Sequence, residues 1–182
     1  MRAGHAAEYL APDATLVVHS DAVPPDNPER VRAAELGIPT LSYFQMLGRL
    51  MRRGRGLAVA GTHGKSTTAA MLAQILLGAG LDPTVCFGAA PLGRSSGGRA
   101  GRGQWMVAEA CEYHAHFLHL RPRHAAILNV EMDHFDYYPS AVQLEEAFAR
   151  FAQLLPRDGT LVVHAGSAGA VRAAQGAACR VE

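Results

Sequence analysis

The chain has 182 residues, of which 49% are hydrophobic and 18% are charged, and its formal net charge is +1. These values are typical of a folded domain, and they exclude an intrinsically disordered chain and a strongly basic nucleic-acid-binding protein. No apolar run approaches the roughly 20 residues that span a bilayer, and the three scattered cysteines form no disulfide framework, so we predict a cytoplasmic protein without nucleic-acid or membrane partners.

The first part of the chain alternates strand and helix signals. Asn27 and Pro28 predict the start of a helix, because an asparagine side chain caps free N–H groups and proline fits the first turn. Gly37 predicts the end of this helix. The apolar pattern predicts three further elements: a strand at residues 14–18, a short strand at 38–42 and a helix at 43–51.

A glycine-rich loop lies between the next predicted strand, at residues 57–60, and a predicted helix at 69–77. Its sequence is Gly61-Thr62-His63-Gly64-Lys65-Ser66-Thr67. In a phosphate-binding loop, glycines let the chain turn tightly, and N–H groups at a helix start face an anion. Lys65 is the only lysine of the chain, and a compact ammonium reaches between phosphates where a planar guanidinium does not. The loop therefore predicts a nucleotide phosphate site in which Lys65 meets the phosphates and the Ser66 hydroxyl holds a metal ion.

The loop departs from the general pattern at one position. The pattern has a glycine five residues before Gly64, and Val59 stands there. The loop is therefore a shortened variant. The alternative is a glycine turn that happens to precede a helix, and the apolar strand before the loop argues against it.

The second half of the chain also alternates strands and helices. Predicted strands lie at residues 84–87, 105–108, 124–128 and 160–164, and a polar, glycine-rich connection at 93–103 is able to close over a ligand. Ser140 and Gln143 form a capping box, followed by an apolar helical stripe that ends at Pro156. Helices between strands predict an α/β fold with a mainly parallel sheet flanked by helices, whose ligands bind at the carboxyl ends of the strands.

Acidic residues follow two of these strands. Glu109 comes directly after the strand at 105–108, and Asn129-Val130-Glu131-Met132-Asp133-His134 follows the strand at 124–128. Because these strand ends meet at one edge of a parallel sheet, we expect Glu109 within reach of Ser66. The oxygens of Glu109 and Ser66 suit Mg²⁺, which prefers hard ligands and bridges phosphate oxygens. The alternative for Glu109 is a surface acid at a strand end.

Three segments resemble the signatures of the Mur ligase family, in the order and at the spacing of that family. They are the glycine-rich loop, Glu109-Ala110-Cys111-Glu112-Tyr113, and Asn129-Val130-Glu131-Met132-Asp133-His134-Phe135-Asp136-Tyr137-Tyr138. The resemblance implies that the loop residues bind ATP: Gly61, Thr62, His63, Gly64, Lys65, Ser66 and Thr67. It implies catalytic roles for Lys65, Glu109 and His134. It also implies that Ser66 and Glu109 hold one Mg²⁺ ion and that His134 reaches a second metal ion.

Two histidines keep alternative interpretations. Imidazole is a softer ligand than Mg²⁺ usually takes, so Mn²⁺ is a possible second metal at His134, and a structural hydrogen bond beside neighbouring acids is the alternative. His63 either contacts substrate or projects beside the nucleotide. Cys111 stands where many relatives have aspartate, and its spacing from nearby histidines matches no zinc pattern.

The resemblance implies an ATP-dependent ligase of peptidoglycan precursor synthesis that forms a C–N bond between two small-molecule substrates. ATP phosphorylates the lactyl carboxylate of UDP-N-acetylmuramate, and the amine of L-alanine attacks the acyl phosphate to form an amide. His63, at the third loop position, resembles both the alanine-adding members and those that recycle a whole tripeptide. A tripeptide acceptor and a non-catalytic ATP-binding protein are therefore the alternatives. The sequence indicates no oligomeric state.

The resemblance also implies pieces of two domains. Residues 1–50 resemble the C-terminal part of the family's uridine-nucleotide-binding domain, and residues 51–182 resemble a truncated central ATP-binding domain of the P-loop ATPase type. The glycine-rich first strand of the former domain and the family's third domain have no counterpart in these residues. We therefore expect the 182-residue chain to have little or no ligase activity by itself.

Overall fold

The computed structural model describes residues 4–88 and 97–182. The chain forms two compact units, of which the first ends at Leu47 and the second begins at Gly48. Within the described residues, no helix combines the length and the apolar character needed to cross a bilayer.

The first unit holds a two-stranded parallel sheet. Its elements are a short 3₁₀ helix at Ala7–Tyr9, strand β1 at Val17–His19, helix α1 at Pro28–Glu35, strand β2 at Thr40–Ser42, and the start of helix α2 at Tyr43–Met51. The Asn27 side chain accepts hydrogen bonds from the N–H groups of Glu29 at 3.0 Å and Arg30 at 3.4 Å, which confirms the predicted cap. β1 begins later than predicted, because the Ala14 N–H closes a turn onto the Ala11 carbonyl at 3.0 Å.

The second unit is built on a seven-stranded sheet with the order β5-β4-β6-β3-β7-β8-β9. The strands are β3 at Arg55–Ala60, β4 at Thr84–Cys86, β5 at Gly98–Arg99, β6 at Trp105–Ala110, β7 at His124–Ile127, β8 at Thr160–Val163 and β9 at Arg180–Val181. The helices are α3 at Lys65–Gly78, α4 at Ala141–Ala152 and α5 at Ala168–Ala174, and a kinked 3₁₀ segment spans Tyr113–His119. Every pairing is parallel except that of β4 with β5, so the predicted fold class is confirmed.

Buried apolar side chains pack on both sides of the central strands. Val59 of β3 and Val107 of β6 pack with Ala69 of α3 in one cluster. α4 carries the predicted stripe, and the ring of Phe151 stacks on that of Phe117 with centroids 4.9 Å apart. This packing holds the carboxyl ends of β3, β6 and β7 beside one another.

The second unit also differs from the predictions in several places. Strand β6 continues to Ala110, so Glu109 lies inside the strand and not directly after it. The predicted connection at 93–103 contains β5, which pairs with β4; residues 93–96 lie outside the described residues. Helix α5 and strand β9 were not predicted, because α5 is rich in alanine and glycine and β9 has only two residues.

Candidate nucleotide and metal site

The glycine-rich loop joins the end of β3 to the start of α3, and two of its glycines are required by backbone geometry. Gly61 has a φ of +140°, and a Cβ there would lie 3.0 Å from the Leu128 Cβ and 3.2 Å from the Asn129 nitrogen. Gly64 has a φ of +83° and directly precedes Lys65, the first residue of α3. Glycine adopts these conformations without the steric cost of a side chain. The loop is therefore pressed against the chain that leaves β7.

Asn129 holds the loop from that neighbouring chain. Its carbonyl accepts a hydrogen bond from the Thr62 N–H at 3.1 Å, and its Oδ1 accepts one from the His63 N–H at 2.8 Å. Its Nδ2 donates to the His63 carbonyl at 3.2 Å. The Thr62 hydroxyl adds two bonds, because it donates to the Glu131 carbonyl and accepts from the Glu131 N–H, both at 3.0 Å. The loop thus keeps its shape through contacts with residues more than 60 positions away.

The start of α3 presents backbone donors beside this loop. The first N–H groups of a helix have no intrahelical acceptor. In α3 the Thr68 N–H makes the first helical bond, to the Gly64 carbonyl at 3.0 Å, so the N–H groups before it have no acceptor within the helix. Ser66 and Thr67 lie in this first turn and are exposed. Such a helix start, with a lysine in its first position, is suited to bind phosphate.

The Lys65 ammonium is held in place by three groups. Its Nζ donates to the Gly61 carbonyl at 2.7 Å, to the Thr62 carbonyl at 3.1 Å and to Glu112 Oε1 at 2.9 Å. The other carboxylate oxygen, Oε2, is also 2.9 Å from Nζ. The Lys65 side chain is 17% exposed and that of Glu112 is 1% exposed. This ion pair is shielded from solvent, so its charges interact more strongly than a surface pair.

Glu112 is the functional residue that the sequence interpretation missed. It lies two residues beyond the end of β6, and the Tyr138 hydroxyl donates to its carbonyl at 2.6 Å. The Nε2 of His134 lies 3.6 Å from its Oε1. The available signal was its position in the same short segment as Glu109. Glu112 thus brings together Lys65 and His134, two residues that the sequence singled out separately.

Glu109 occupies a different part of the same strand end. It pairs in register with Val59 of β3, and a Cβ on Gly88 would lie 2.9 Å from its Oε2. Within the described residues, no ion pair or hydrogen bond joins Glu109 to Ser66 or His134. The structure thus joins Lys65 and His134 through Glu112 and leaves Glu109 beside Gly88.

Two carboxylate oxygens suit a hard cation. Glu109 Oε1 and Glu112 Oε2 are both buried; Glu109 Oε1 has no hydrogen-bond partner in the described part of the chain, whereas Glu112 Oε2 has the Lys65 Nζ 2.9 Å away. A buried carboxylate oxygen without a partner is costly unless a cation or a donor satisfies it. No cluster of three or more His, Cys, Asp or Glu side chains forms a ready metal site among residues 4–88 and 97–182. Mg²⁺ keeps several waters and bridges phosphate oxygens, so two carboxylates fit this ion.

His134 has an unusual backbone conformation at this site. Its φ is +53°, which is rare for a residue with a side chain, and its N–H donates to Asp133 Oδ1 at 2.7 Å. Its ring lies 4.6 Å from that of Tyr113. Strained backbone of this kind is concentrated at functional sites. His63, in contrast, is exposed, with its Nε2 4.0 Å from Glu131 Oε2.

Several pKa values near the site depart from their usual range. The Tyr113 hydroxyl donates to Asp136 Oδ2 at 2.6 Å, and this bond lowers the pKa of Asp136 and raises that of Tyr113. Burial raises the pKa of Tyr138 to about 12. Burial also raises the pKa of the Cys111 thiol. Cys111 is therefore a poor nucleophile at neutral pH.

The comparisons with known proteins agree with one another. Residues 59–181 match the Mur ligase middle domain, and residues 1–55 match the model described as the Mur ligase family, catalytic domain. The chain is 46% identical over 156 residues to the UDP-N-acetylmuramate–L-alanine ligase of Carboxydothermus hydrogenoformans. That alignment covers 86% of this chain and 34% of the relative, so the chain spans about a third of the relative's length.

Two solved structures resemble the chain closely. One is the UDP-N-acetylmuramate:L-alanyl-gamma-D-glutamyl-meso-diaminopimelate ligase of Neisseria meningitides, with a TM-score of 0.83 and 28% identity over 98% of this chain and 61% of that chain. The other is the UDP-N-acetylmuramate-alanine ligase of Thermotoga maritima, with a TM-score of 0.79 and 28% identity over 95% of this chain and 40% of that chain. With the family model covering most of its length, the chain belongs to the Mur ligase family.

Proposed function

We propose that this chain carries the phosphate- and metal-binding part of an ATP-dependent ligase that joins L-alanine to UDP-N-acetylmuramate. The observation that carries the proposal is the convergence of the chain's only lysine, a helix start and the buried carboxylate oxygens of Glu109 and Glu112 at one end of the sheet. Family membership and the identity to an alanine-adding ligase support the same reaction. We also propose that the enzyme acts in the cytoplasm.

The residues of the loop have complementary roles in this proposal. Residues 61–67 surround the ATP phosphates, the Lys65 ammonium neutralises the transferring phosphoryl group, and the N–H groups of α3 stabilise its oxygens. Ser66 and Glu109 hold one Mg²⁺ ion, and His134 reaches a second ion, Mg²⁺ or Mn²⁺. The bound metal supplies positive charge that offsets the charge of the phosphates.

The proposed reaction needs no nucleophilic side chain from the protein. The lactyl carboxylate of UDP-N-acetylmuramate takes the γ-phosphoryl group of ATP and releases ADP, and the alanine amine then displaces phosphate to form the amide. Lys65 and the loop hold the phosphoryl group in line between its attacking and leaving oxygens. The raised pKa of Cys111 agrees with a thiol that takes no part in the chemistry.

We propose that residues 1–50 belong to the uridine-nucleotide-binding domain and residues 51–182 to the central ATP-binding domain. The relative from Carboxydothermus hydrogenoformans is about three times as long as the segment it shares with this chain. We therefore expect the 182-residue chain to bind ATP but to release no phosphate from UDP-N-acetylmuramate, ATP and L-alanine. Measured turnover by the purified chain would contradict this expectation.

Calorimetry with ATP and Mg²⁺ tests the nucleotide site. Lys65→Ala should weaken ATP binding by about 10- to 100-fold, since a hydrogen bond to a charged group contributes about 1.5–3 kcal/mol. Arg157→Ala removes an exposed cation beyond α4 and is the matched control, which should bind ATP like the wild type. Equal affinity in Lys65→Ala and the wild type would remove the loop from its proposed role.

The tripeptide-recycling reaction is the second candidate. The solved structure with the TM-score of 0.83 is named for a peptide acceptor, whereas the relative at 46% identity is named for alanine. Competition between L-alanine and the tripeptide, in a version of the protein that carries the remaining family domains, separates the two. Preference for the tripeptide would replace the alanine assignment and leave the phosphate site unchanged.

A further inference from the structure

We propose that Glu112 is a positioning residue that holds the Lys65 ammonium in the nucleotide-free loop and thereby makes ATP binding depend on a divalent cation. This inference rests on the proposed function of the loop as an ATP site. Glu112 touches Lys65 directly, whereas Glu109 makes no such contact among the described residues. Glu112 therefore has a role separate from that of the other buried carboxylate.

All three protons of the Lys65 ammonium are engaged in hydrogen bonds. An ammonium has three protons, and the bonds to the carbonyls of Gly61 and Thr62 and to the Glu112 carboxylate use all three. A phosphate oxygen that binds Lys65 must therefore displace one of them. The two carbonyls belong to the loop itself, which Asn129 fixes in place. The carboxylate of Glu112 is the partner that gives way.

The next step is the fate of the displaced carboxylate. Glu112 is 1% exposed, its Oε2 has no other described partner than the Lys65 Nζ at 2.9 Å, and His134 Nε2 is 3.6 Å from its Oε1. Once the ammonium turns to phosphate, a buried negative charge remains beside an incoming polyanion. Both desolvation and repulsion then oppose ATP binding.

A divalent cation removes this penalty. Carboxylate oxygens are the ligands that Mg²⁺ prefers, so Glu112 would help to hold a divalent cation, and the charge of that cation would replace the charge that the lysine withdrew. ATP and the cation therefore favour each other's binding through Glu112, which is a thermodynamic coupling. Replacing the Glu112 carboxylate by an amide of the same shape should weaken that coupling and leave the glycine-rich loop in place.

The first test is the Kd of ATP measured by calorimetry with Mg²⁺ and with a chelator. The Kd measured with chelator divided by the Kd measured with Mg²⁺ reports the coupling. In E112Q this ratio should be about tenfold smaller than in the wild type, within the usual range of coupling between sites. E146Q is the matched control, because Glu146 is exposed on α4, outside the loop and its contacts, and carries the same charge. An unchanged ratio in E112Q would overturn the proposal. Absence of any ATP binding by the wild type would instead refute the proposed function.

The second test needs no nucleotide, because Lys65 is the only lysine in the chain. Its acylation by an amine-selective ester, followed by mass spectrometry of the peptide that contains it, reports how firmly the ammonium is held. E112Q should react several-fold faster than the wild type, E112D should lie between them, and E146Q should match the wild type. Equal rates in all four proteins would overturn the proposal. Circular dichroism of each variant confirms that it is folded.

Discussion

The Nζ of Lys65 lies 2.9 Å from the carboxylate of Glu112, and the two residues are 47 positions apart in the chain. The pair exists because β3 and β6 run parallel, with Val59 opposite Glu109, so that the residues after each strand emerge at the same edge. The pair lies beside the glycine-rich loop, where it is a structural contact and, in our proposal, the contact that a bound nucleotide displaces.

Breaking this pair should destabilise the second unit. Lys65→Met leaves a buried carboxylate unpaired, and we expect the free energy of unfolding to fall by about 3 kcal/mol. The double variant Lys65→Met with Glu112→Gln should cost at least 1 kcal/mol less than the sum of the single variants, by roughly the coupling seen between contacting residues. Urea unfolding measures all four proteins.

The exposed pair of Arg123 and Asp158, with atoms 2.6 Å apart, is the control for that cycle. Because both side chains are largely exposed, Asp158→Asn should cost under about 1 kcal/mol. Additive effects of the substitutions at Lys65 and Glu112 would show that this ion pair contributes no coupling energy in solution.

Gly88→Ala should affect metal-dependent nucleotide binding more than stability. The new Cβ would lie 2.9 Å from Glu109 Oε2, so the carboxylate must move, while the end of this side chain is free to rotate. We expect the free energy of unfolding to change by less than about 1 kcal/mol. The affinity for ATP in Mg²⁺ should fall several-fold, as measured by calorimetry.

Gly98→Ala is the matched control, because no described atom lies within 4 Å of a Cβ at that position. It should bind ATP like the wild type. If Gly88→Ala also does so, Glu109 is not a ligand of the metal that accompanies ATP.

Asn129→Ala should loosen the phosphate loop. The substitution removes two hydrogen bonds to the main chain of His63, at about 1 kcal/mol each, so we expect a loss of about 1–2 kcal/mol in the free energy of unfolding. ATP affinity should fall as well, because the loop must then be ordered on binding. Asn129→Asp keeps the acceptor and loses the donor, and its stability should lie between the two. Wild-type stability in Asn129→Ala would contradict the role of this side chain.

Tyr138 should make the free energy of unfolding depend on pH in the alkaline range. Its pKa is raised to about 12 in the folded state from the usual value of 10.0, because burial disfavours the phenolate. The unfolded chain therefore releases this proton first as the pH rises. The stability contribution is fully present below pH 10 and is lost between pH 10 and about 12.

Tyr138→Phe should remove that part of the alkaline loss, and at neutral pH it should cost about 1 kcal/mol through the bond to the Glu112 carbonyl. Urea unfolding at pH 8 and pH 11, with Tyr137→Phe as an exposed control, checks both effects. An identical alkaline decline in Tyr138→Phe and the wild type would assign the decline to other groups.

The alternation of apolar runs with helical stripes was sufficient to predict the parallel sheet. The cap at Asn27 and the stripe of α4 were also predictable, because they depend on neighbouring residues. Strand β5 depends on its pairing with β4, which residue propensity does not reveal, and the buried face of helix α5 consists only of glycine and alanine, which give a weak apolar pattern. Elements fixed by tertiary contacts were therefore the ones missed.

In the candidate site, too, the features that depend on neighbouring residues were predictable and those fixed by tertiary contacts were not. The loop was predictable because glycine, lysine and serine at fixed spacing have a direct physical meaning. Glu112 was not, because a charged side chain is seldom buried unless it is paired, and its partner Lys65 is distant in sequence. The left-handed backbone of His134 was equally unpredictable, since it results from the local turn. The catalytic and metal-binding roles of Lys65, Ser66, Glu109 and His134 stay predictions.

The amide of Asn129 is bonded on both sides to the main chain of His63, and five residues later the same segment carries the imidazole of His134. The glycine-rich loop is therefore fastened directly to the segment that carries this histidine. A substitution that removes the Asn129 amide should alter the surroundings of both.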